Sequence, residues 1–379
     1  MRIAVAVSGG VDSLCALLLL RRAGHEVLAL HALLAEPVGG APPPLEGLAA
    51  ACRSLGVKLH VADLRGRFSR EIIAPFAAAY AGGRTPNPCA LCNRHIKFGA
   101  LLETALGLGA EALATGHYAR LVPQSRRGVP GPLLAMAAHA PKDQSYFLSL
   151  VPQERLTRVI FPLAELDKPS CAALVAEAGL AVPVPVESHD ICFAPGGVDA
   201  YRDFLERKWE ELGLIPAGPG PVLLSEEKTA GTPGSPKTPD EARALRRIGT
   251  HAGLWRYTEG QRRGLGIAHA EALHVLRKDT AANALVVGPR SLLGMRGCVA
   301  GGVNLMAEPH FCPERPLVRC RYGGGVVPAE VRLEEGPNGK KLHVRFSETC
   351  FPTAPGQVLT LYDEDGAVLA GAIVEEVLP

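Results

Sequence analysis

Residues 8 to 13 read Ser8-Gly9-Gly10-Val11-Asp12-Ser13, two glycines set among hydroxyls and followed by a carboxylate. The run before them, residues 2 to 7, is short, apolar and rich in β-branched side chains, as a buried parallel strand requires. The run after them, residues 14 to 20, is apolar throughout and reads as a buried helix. A glycine turn between strand and helix lets the backbone approach a ligand closely. The helix start adds unpaired N–H groups and the positive end of a dipole. This is an anion site, and phosphate is the expected anion. The turn lacks the Gly-Lys-Ser/Thr ending of a Walker A loop, so it has no lysine grip on a γ-phosphate. The plain alternative is a tight turn of any doubly wound sheet.

A second concentration of chemistry lies in Thr85-Pro86-Asn87-Pro88-Cys89-Ala90-Leu91-Cys92-Asn93-Arg94. Two prolines stiffen the approach to a Cys-x-x-Cys pair. A helix is expected from Arg94, which would leave Cys92 near a helix N-terminus, where thiolate is favoured. Arg94 and Lys97 add positive charge. A structural zinc knuckle is the competing reading, but there is no second Cys-x-x-Cys, and His95 is too close to Cys92 for the usual spacing. Cys192, in Ser188-His189-Asp190-Ile191-Cys192-Phe193, is a third candidate thiol. The remaining cysteines are scattered and suggest small buried residues rather than a disulfide framework.

Two foci need elements to hold them. Short apolar strands are expected at residues 27–33, 57–62 and 110–115, and helices at 45–55, 68–80 and 94–106. Repeating strand–helix units imply an α/β fold, a doubly wound parallel sheet with its ligand crevice beyond the carboxyl ends of the strands. Residues 201–278 change character, with one helix at 202–214, a Ser/Thr/Pro/Gly/Lys-rich insertion at 225–240 and then a basic stretch. The last hundred residues alternate as short strands with turns, which implies a small barrel or sandwich. The expected domains are 1–200, 201–278 and 279–379, in keeping with 379 residues. A net charge of +2 makes no general polyanion binder, so any nucleic-acid contact must be local. No apolar run is long enough to cross a bilayer, and residue 1 leads straight into a strand. A cytoplasmic location without a signal peptide or membrane contact is therefore expected.

Ser8 to Ser13 resembles the pyrophosphate loop of ATP pyrophosphatases. With it, residues 84–98, Ala114-Thr115-Gly116-His117-Tyr118, Lys142-Asp143-Gln144-Ser145-Tyr146-Phe147-Leu148, residues 190–193 and 258–267, Arg321-Tyr322 and Pro355-Gly356-Gln357 follow in an order similar to that of the tRNA-specific 2-thiouridylases. The resemblance spans nearly the whole chain. It implies a pyrophosphate-loop catalytic domain, a small central domain and a C-terminal β-barrel. It implies ATP-dependent thiolation of the wobble uridine of tRNA at C2, with the C2 oxygen adenylated and AMP displaced by sulfur. Cys192 then matches the persulfide carrier and Cys92 its partner, and the base must be flipped from the anticodon loop to reach them. By position, Ser8, Gly9, Gly10, Val11, Asp12, Ser13, Ala32 and Gly116 match nucleotide contacts. Asn87, Pro88, His117, Lys142, Asp143, Gln144, Arg321, Tyr322 and Gln357 match tRNA contacts. ATP, Mg2+ aided by Asp12, and a sulfur donor protein or sulfide are the implied cofactors and partners.

This sequence departs from the family at Cys89, where most members have aspartate. Cys89, Cys92 and Cys192 form a trio expected to hold a [4Fe-4S] cluster whose open iron delivers hydrosulfide to the activated uridine; the persulfide route is the rival. Ala32 replaces the family's methionine beside adenine. Two other classes compete with the thiolase reading. One is another pyrophosphate-loop enzyme, such as an amide-forming ligase or a tRNA lysidine synthetase, which needs no paired thiols. The other is a non-catalytic tRNA-binding protein with a structural metal.

Overall fold

A computed structural model describes residues 1–35, 45–123, 131–184, 191–194, 197–225, 245–337 and 339–379. The proline-rich loop at 36–44, and the expected insertion apart from Ser225, lie outside the described residues.

The strands in chain order are β1 (Arg2–Ala6), β2 (Glu26–Leu33), β3 (Leu59–Asp63), β4 (Ala112–Ala114), the hairpin β5 (Arg120–Val122) and β6 (Leu133–Ala135), and β7 (Val159–Ile160). Five of them form a parallel sheet in the order β3-β2-β1-β4-β7. β1 is central because Ile3, Ala4 and Val5 are wholly buried and can tolerate helices on both faces. Helix α1 (Val11–Arg22) returns the chain from β1 to β2, and α2 (Leu45–Ser54) from β2 to β3. The chain then crosses to β4 on the other side of β1. Strand order therefore reverses between β1 and β4, and the loops at their carboxyl ends share one crevice. This is the doubly wound sheet expected from the sequence.

The central unit is a four-stranded sheet of β8 (Gly220–Ser225), β9 (Leu245–His251), β10 (Leu273–Asp279) and β11 (Ala284–Pro289), in the order β10-β11-β8-β9. The β10–β11 turn passes through Asn283 at φ 47°, a left-handed position asparagine tolerates. Its backbone oxygen meets the ring Nε2 of His251 at 2.9 Å. Because β11 pairs with β8, the central sheet runs to Pro289. The junction expected at 278–279 lies at the end of β10.

The barrel consists of β12 (Met295–Leu305), β13 (Leu317–Arg319), β14 (Val327–Gly336), β15 (Gly339–Cys350), β16 (Val358–Tyr362) and β17 (Val368–Leu378). It closes in the order β12-β15-β14-β13-β16-β17, which resolves the choice between barrel and sandwich. Closure leaves no unpaired edge, and inward residues such as Cys298, Ala300, Val344, Leu359 and Ala372 fill the interior. The β16–β17 side docks on the catalytic domain. Tyr362 and Val368 belong to the same buried cluster as Phe98, Leu113 and Leu148. Asn304 donates to the carbonyls of Ser149 and Val151, both at 2.8 Å. Among the described residues no helix is long and apolar enough to cross a membrane.

Candidate active site

The loop from Ser8 to Ser13 is organised by its own hydroxyls. Ser13 Oγ donates to Gly10 O at 2.9 Å and accepts from Ser8 N at 3.1 Å. Gly9 adopts φ 90°, which a side chain would strain, and Gly10 precedes the first turn of α1 in an extended conformation. Gly9 O accepts from Val184 N at 3.1 Å. Val11 and Asp12 open the helix, so unpaired backbone N–H groups face the crevice. His31 braces the loop from β2, its Nδ1 2.7 Å from Val7 O. Ala32 lies within β2 opposite Ala62, in the strand expected at 27–33.

Gly116, just beyond β4, closes on this loop. A Cβ there would lie 2.8 Å from the carbonyl carbon of Asp12 and 2.9 Å from Ser13 N. Two residues further on, Tyr118 Oη donates to Asp12 Oδ1 at 2.7 Å. The two carboxyl-end loops are therefore locked together at the point where strand order reverses.

The thiols sit on a helix that begins earlier than expected. Asn87 caps it, its Oδ1 accepting from Ala90 N at 3.2 Å, and Pro88 occupies the first turn. Helical structure runs from Pro88 through to Gly107. Cys89 is thus in the first turn, and Cys92 lies a full turn inside, buried at 7 % exposure. The expected helix-terminal thiolate at Cys92 is overturned for that reason. Loss of water dominates and pushes its thiol up to about 12, with Lys97 pulling the other way. Cys89 and Cys192 are exposed, yet protein walls raise both thiols too, again opposed by Lys97. Cys192 reaches this place because Phe193 beside it plugs an aromatic pocket, its ring 5.6 Å from Phe68, 5.2 Å from Phe76 and 5.4 Å from Phe204. Cys92 feels both Cys89 and Cys192, Cys192 feels Cys89, and all three feel Lys97. The arrangement lends the expected cluster no support. Among the described residues, no three His, Cys, Asp or Glu side chains form a group able to hold a metal ion.

Lys97 shares the face of Cys92 because residues Asn93–Leu101 take widened, π-type turns. Five residues along an ordinary α-helix would rotate by about 500°, to a different face. Arg155 supports the widened segment, donating to the carbonyls of Arg94 at 2.7 Å and Phe98 at 3.1 Å. The Lys97 ammonium donates to His117 Nε2 at 3.2 Å. His117 is therefore the neutral Nδ1–H tautomer, donating to Thr115 Oγ1 across 2.7 Å. Burial, then the nearby Lys97 charge, hold its pKa well below the usual imidazole value. Lys97 was legible only as background charge; its spacing from Cys92 hides the shared face.

The residues matched to tRNA contacts divide into framework and surface. His117 is buried with both ring nitrogens engaged, so it offers RNA no free nitrogen. Asp143 is buried as well. Its carboxylate accepts from Ala137 N, Ser145 N, Ser145 Oγ and Arg319 Nη1. Gln144 pairs with the backbone of Tyr118 through its own N–H and Oε1. Asn87 is spent as a cap and Pro88 is buried. Gln357 donates to Thr85 O at 2.8 Å, clamping the strip before the thiols to the barrel. These side chains are engaged within the protein, some locally, as Asn87 with Ala90 N, and some across long sequence gaps, as Asp143 with Arg319 and Gln357 with Thr85. Lys142 is half-buried in a short helical turn, Ala140–Lys142.

Arg321 and Tyr322 are exposed, because β13 ends at Arg319 and frees the loop beyond it. The Tyr322 ring lies 4.6 Å from Phe147, and the Arg321 guanidinium 4.1 Å from the ring of exposed Phe351. Phe147 O accepts from Asn93 Nδ2 at 3.0 Å, which ties this aromatic rim to the thiol helix. Phe147 was legible only as part of the motif from Lys142 to Leu148 and Phe351 carried no signal, since each gains its place from a partner distant in sequence.

Three family models match the chain in succession: a tRNA methyl transferase HUP domain over residues 1–196, a tRNA methyl transferase PRC-barrel domain over 236–289, and an aminomethyltransferase beta-barrel domain over 296–374. The tRNA-specific 2-thiouridylase MnmA of Nitratidesulfovibrio vulgaris strain Miyazaki F is 45 % identical over 378 residues, covering 99 % of both chains. That of Oleidesulfovibrio alaskensis is 45 % identical over 382 residues, covering 100 % of both. That of Lawsonia intracellularis is 40 % identical over 377 residues, covering 99 % of both. The three family models and these full-length relatives establish that the chain belongs to the tRNA-specific 2-thiouridylase family of sulfurtransferases.

Proposed function

We propose that this protein thiolates C2 of the wobble uridine of tRNA in two half-reactions. In the first, the uridine C2 oxygen attacks the α-phosphorus of ATP. A P–O bond forms to the base, and pyrophosphate leaves with the electrons of the bond that breaks. Carbonyl oxygen leaves poorly, and adenylation turns it into part of AMP. In the second, the terminal sulfur of a persulfide on Cys192 attacks C2. The C–S bond forms, the C–O bond breaks and AMP departs with the electron pair. Cys92 then attacks the sulfur of Cys192 and breaks the S–S bond, its thiol proton passing to the departing thiouracil. This leaves 2-thiouridine and a Cys92–Cys192 disulfide, which a thiol reductant returns to the starting state with two electrons. A persulfide donor reloads Cys192.

The observation that carries this reading is the pair Gly116–His117. Gly116 packs on the backbone of the nucleotide loop, and His117 holds the ammonium whose charge acts on all three thiols. Activation and sulfur delivery thus share one cleft. Magnesium bound with ATP takes most ligands from phosphate and water, with Asp12 as the carboxylate the loop offers. The rim of exposed Arg321, Tyr322 and Phe351 with half-buried Phe147 suits unstacked bases, which pack on aromatic rings and guanidinium planes.

Cys92→Ser and Cys192→Ser each lower 2-thiouridine formation by at least about 1,000-fold, as loss of a covalent participant does. Nucleoside mass spectrometry reads this, while tRNA-dependent pyrophosphate release continues. Undiminished thiolation in both variants favours a ligase-type pyrophosphate-loop enzyme. Absence of tRNA-dependent pyrophosphate release from the parent protein favours a non-catalytic binder. Iron and sulfide assay of anaerobically prepared protein separates the sulfur routes: iron-free protein that thiolates from a persulfide donor supports the thiol route, and iron-dependent thiolation overturns it in favour of a [4Fe-4S] cluster. Arg321→Ala with Phe351→Ala raises the KM for tRNA about tenfold, from about 1–3 kcal/mol of lost stacking. Steady-state kinetics at fixed salt will show whether kcat stays near the parent value.

A further inference from the structure

We propose that Lys97 is the cation that carries negative charge through the second half-reaction, and that His117 is its positioning residue. The inference rests on the thiolation reading above. When sulfur displaces AMP, negative charge passes from the nucleophile through C2 to the departing phosphate. A fixed ammonium within reach of both ends stabilises the state in which that charge is shared, and it needs no reorganisation at the moment of reaction.

The fold builds such an ammonium. The widened turns of Asn93–Leu101 bring Lys97 to the side of Cys92, and Arg155 satisfies two of the carbonyls in that segment. Among the described residues its ion pairs include no carboxylate; its polar partner is the neutral ring of His117. A neutral acceptor fixes the direction of the ammonium without cancelling its charge, and leaves two of its three N–H donors for substrate. His117 is itself fixed, by Thr115 and by the rings of Phe98 and Phe161 at 5.7 and 6.2 Å. It follows Gly116 directly, so the residue that packs on the nucleotide loop and the residue that holds the cation are neighbours in the chain. The lowering effect of Lys97 on every thiol of the trio agrees with that placement. In the free protein, His117 is therefore a buried link between cradle and cation rather than a surface group for RNA.

The test uses full-length protein, ATP, Mg2+, tRNA transcript and a persulfide donor, and reads 2-thiouridine formed per pyrophosphate released. Lys97→Met is expected to lower that ratio by at least about 100-fold, the loss typical of removing one preorganised group at a developing charge. Lys97→Arg, which keeps the charge, recovers part of it. His117→Ala lowers the ratio by about tenfold with the KM for tRNA unchanged, because it frees the ammonium to wander. An unchanged ratio in Lys97→Met, whether both rates hold or both fall together, overturns the proposal, as does a fall that Lys97→Arg does not relieve. If the parent protein makes no 2-thiouridine, the thiolation reading itself fails. If the parent thiolates and Lys97→Met does so with the same ratio, only the role of Lys97 fails.

Discussion

Gly116→Ala lowers tRNA-dependent pyrophosphate release by at least about 100-fold, the scale expected when reacting groups are misplaced by about 1 Å. The added methyl would stand 2.8 Å from a backbone carbon of Asp12, 2.9 Å from its oxygen and 2.9 Å from Ser13 N. None of these is the far end of a flexible chain. Either the loop Ser8–Ser13 moves away or β4 is pushed back from the sheet. Both outcomes open the nucleotide cradle and shift His117 with it. Overpacking of this kind costs about 1–3 kcal/mol of stability, which leaves the fold intact and the function impaired. Direct ATP binding by calorimetry and pyrophosphate release both read the effect. A Gly116→Ala protein with parental ATP affinity and parental release would overturn the close approach as the basis of the cradle. Gly356 supplies a comparison outside the cradle. It has φ 99°, and a Cβ there would meet Thr85 O at 2.9 Å, so its substitution disturbs the barrel's hold on the thiol strip and leaves the nucleotide loop alone.

Much of the architecture was legible because its signals are local. A β-branched apolar run, a glycine turn and an apolar helix occupy the first 20 residues, and they fold as a strand, loop and helix at the centre of the sheet. The Asp363-Glu364-Asp365-Gly366 turn likewise carries its own instructions. Gly366 N donates to Asp363 O, and Ala367 N to Asp363 Oδ1 at 2.8 Å. The barrel was expected, but which strands close it was not legible, since β12 meets β15 and β17 only across some 50 and 70 residues of sequence. The early start of the thiol helix left a trace, Asn87 as cap with Pro88 in the first turn, that the surrounding prolines obscured.

The site was legible as an inventory and illegible as a division of labour. Side chains matched to RNA by position include several that the fold consumes internally. Gln357 reaches back 272 residues to Thr85, and Asp143 forward 176 residues to Arg319. No periodicity records such a contact. The converse holds for Lys97, whose role depends on a change of helical pitch that amino-acid spacing does not announce. Buried polar side chains must find partners. Strongly hydrogen-bonding residues drawn into a domain junction therefore become its fasteners, while the exposed Arg321 and Tyr322 stay available for a ligand.

Asp143→Ala removes about 3–5 kcal/mol of stability, the cost of breaking a buried ion pair by deleting one partner. The carboxylate is 1 % exposed and Arg319 15 %, with 2.7 Å between Oδ2 and Nη1. Deletion leaves a guanidinium beside the face of Tyr362, its carbon 5.4 Å from the ring centre, with no counter-charge there. It also strands the N–H groups of Ala137 and Ser145, which donate to Oδ1 at 3.0 and 3.1 Å. Asp143→Asn keeps an acceptor and loses the charge, so its loss is smaller. The double variant Asp143→Ala with Arg319→Met recovers part of the deficit, because no uncompensated cation remains. Thermal unfolding followed by circular dichroism measures all three, and limited proteolysis reports whether the barrel has lifted from the catalytic domain. A single variant that melts with the parent would refute the pair's role as a fastener. The damage reaches function by a traceable route: Gln144, next to Asp143, holds the backbone of Tyr118, and Tyr118 holds Asp12 in the nucleotide loop. A barrel that loosens at Arg319 therefore loosens the cradle too, and ATP affinity falls together with the melting temperature in Asp143→Ala and returns with it in the double variant.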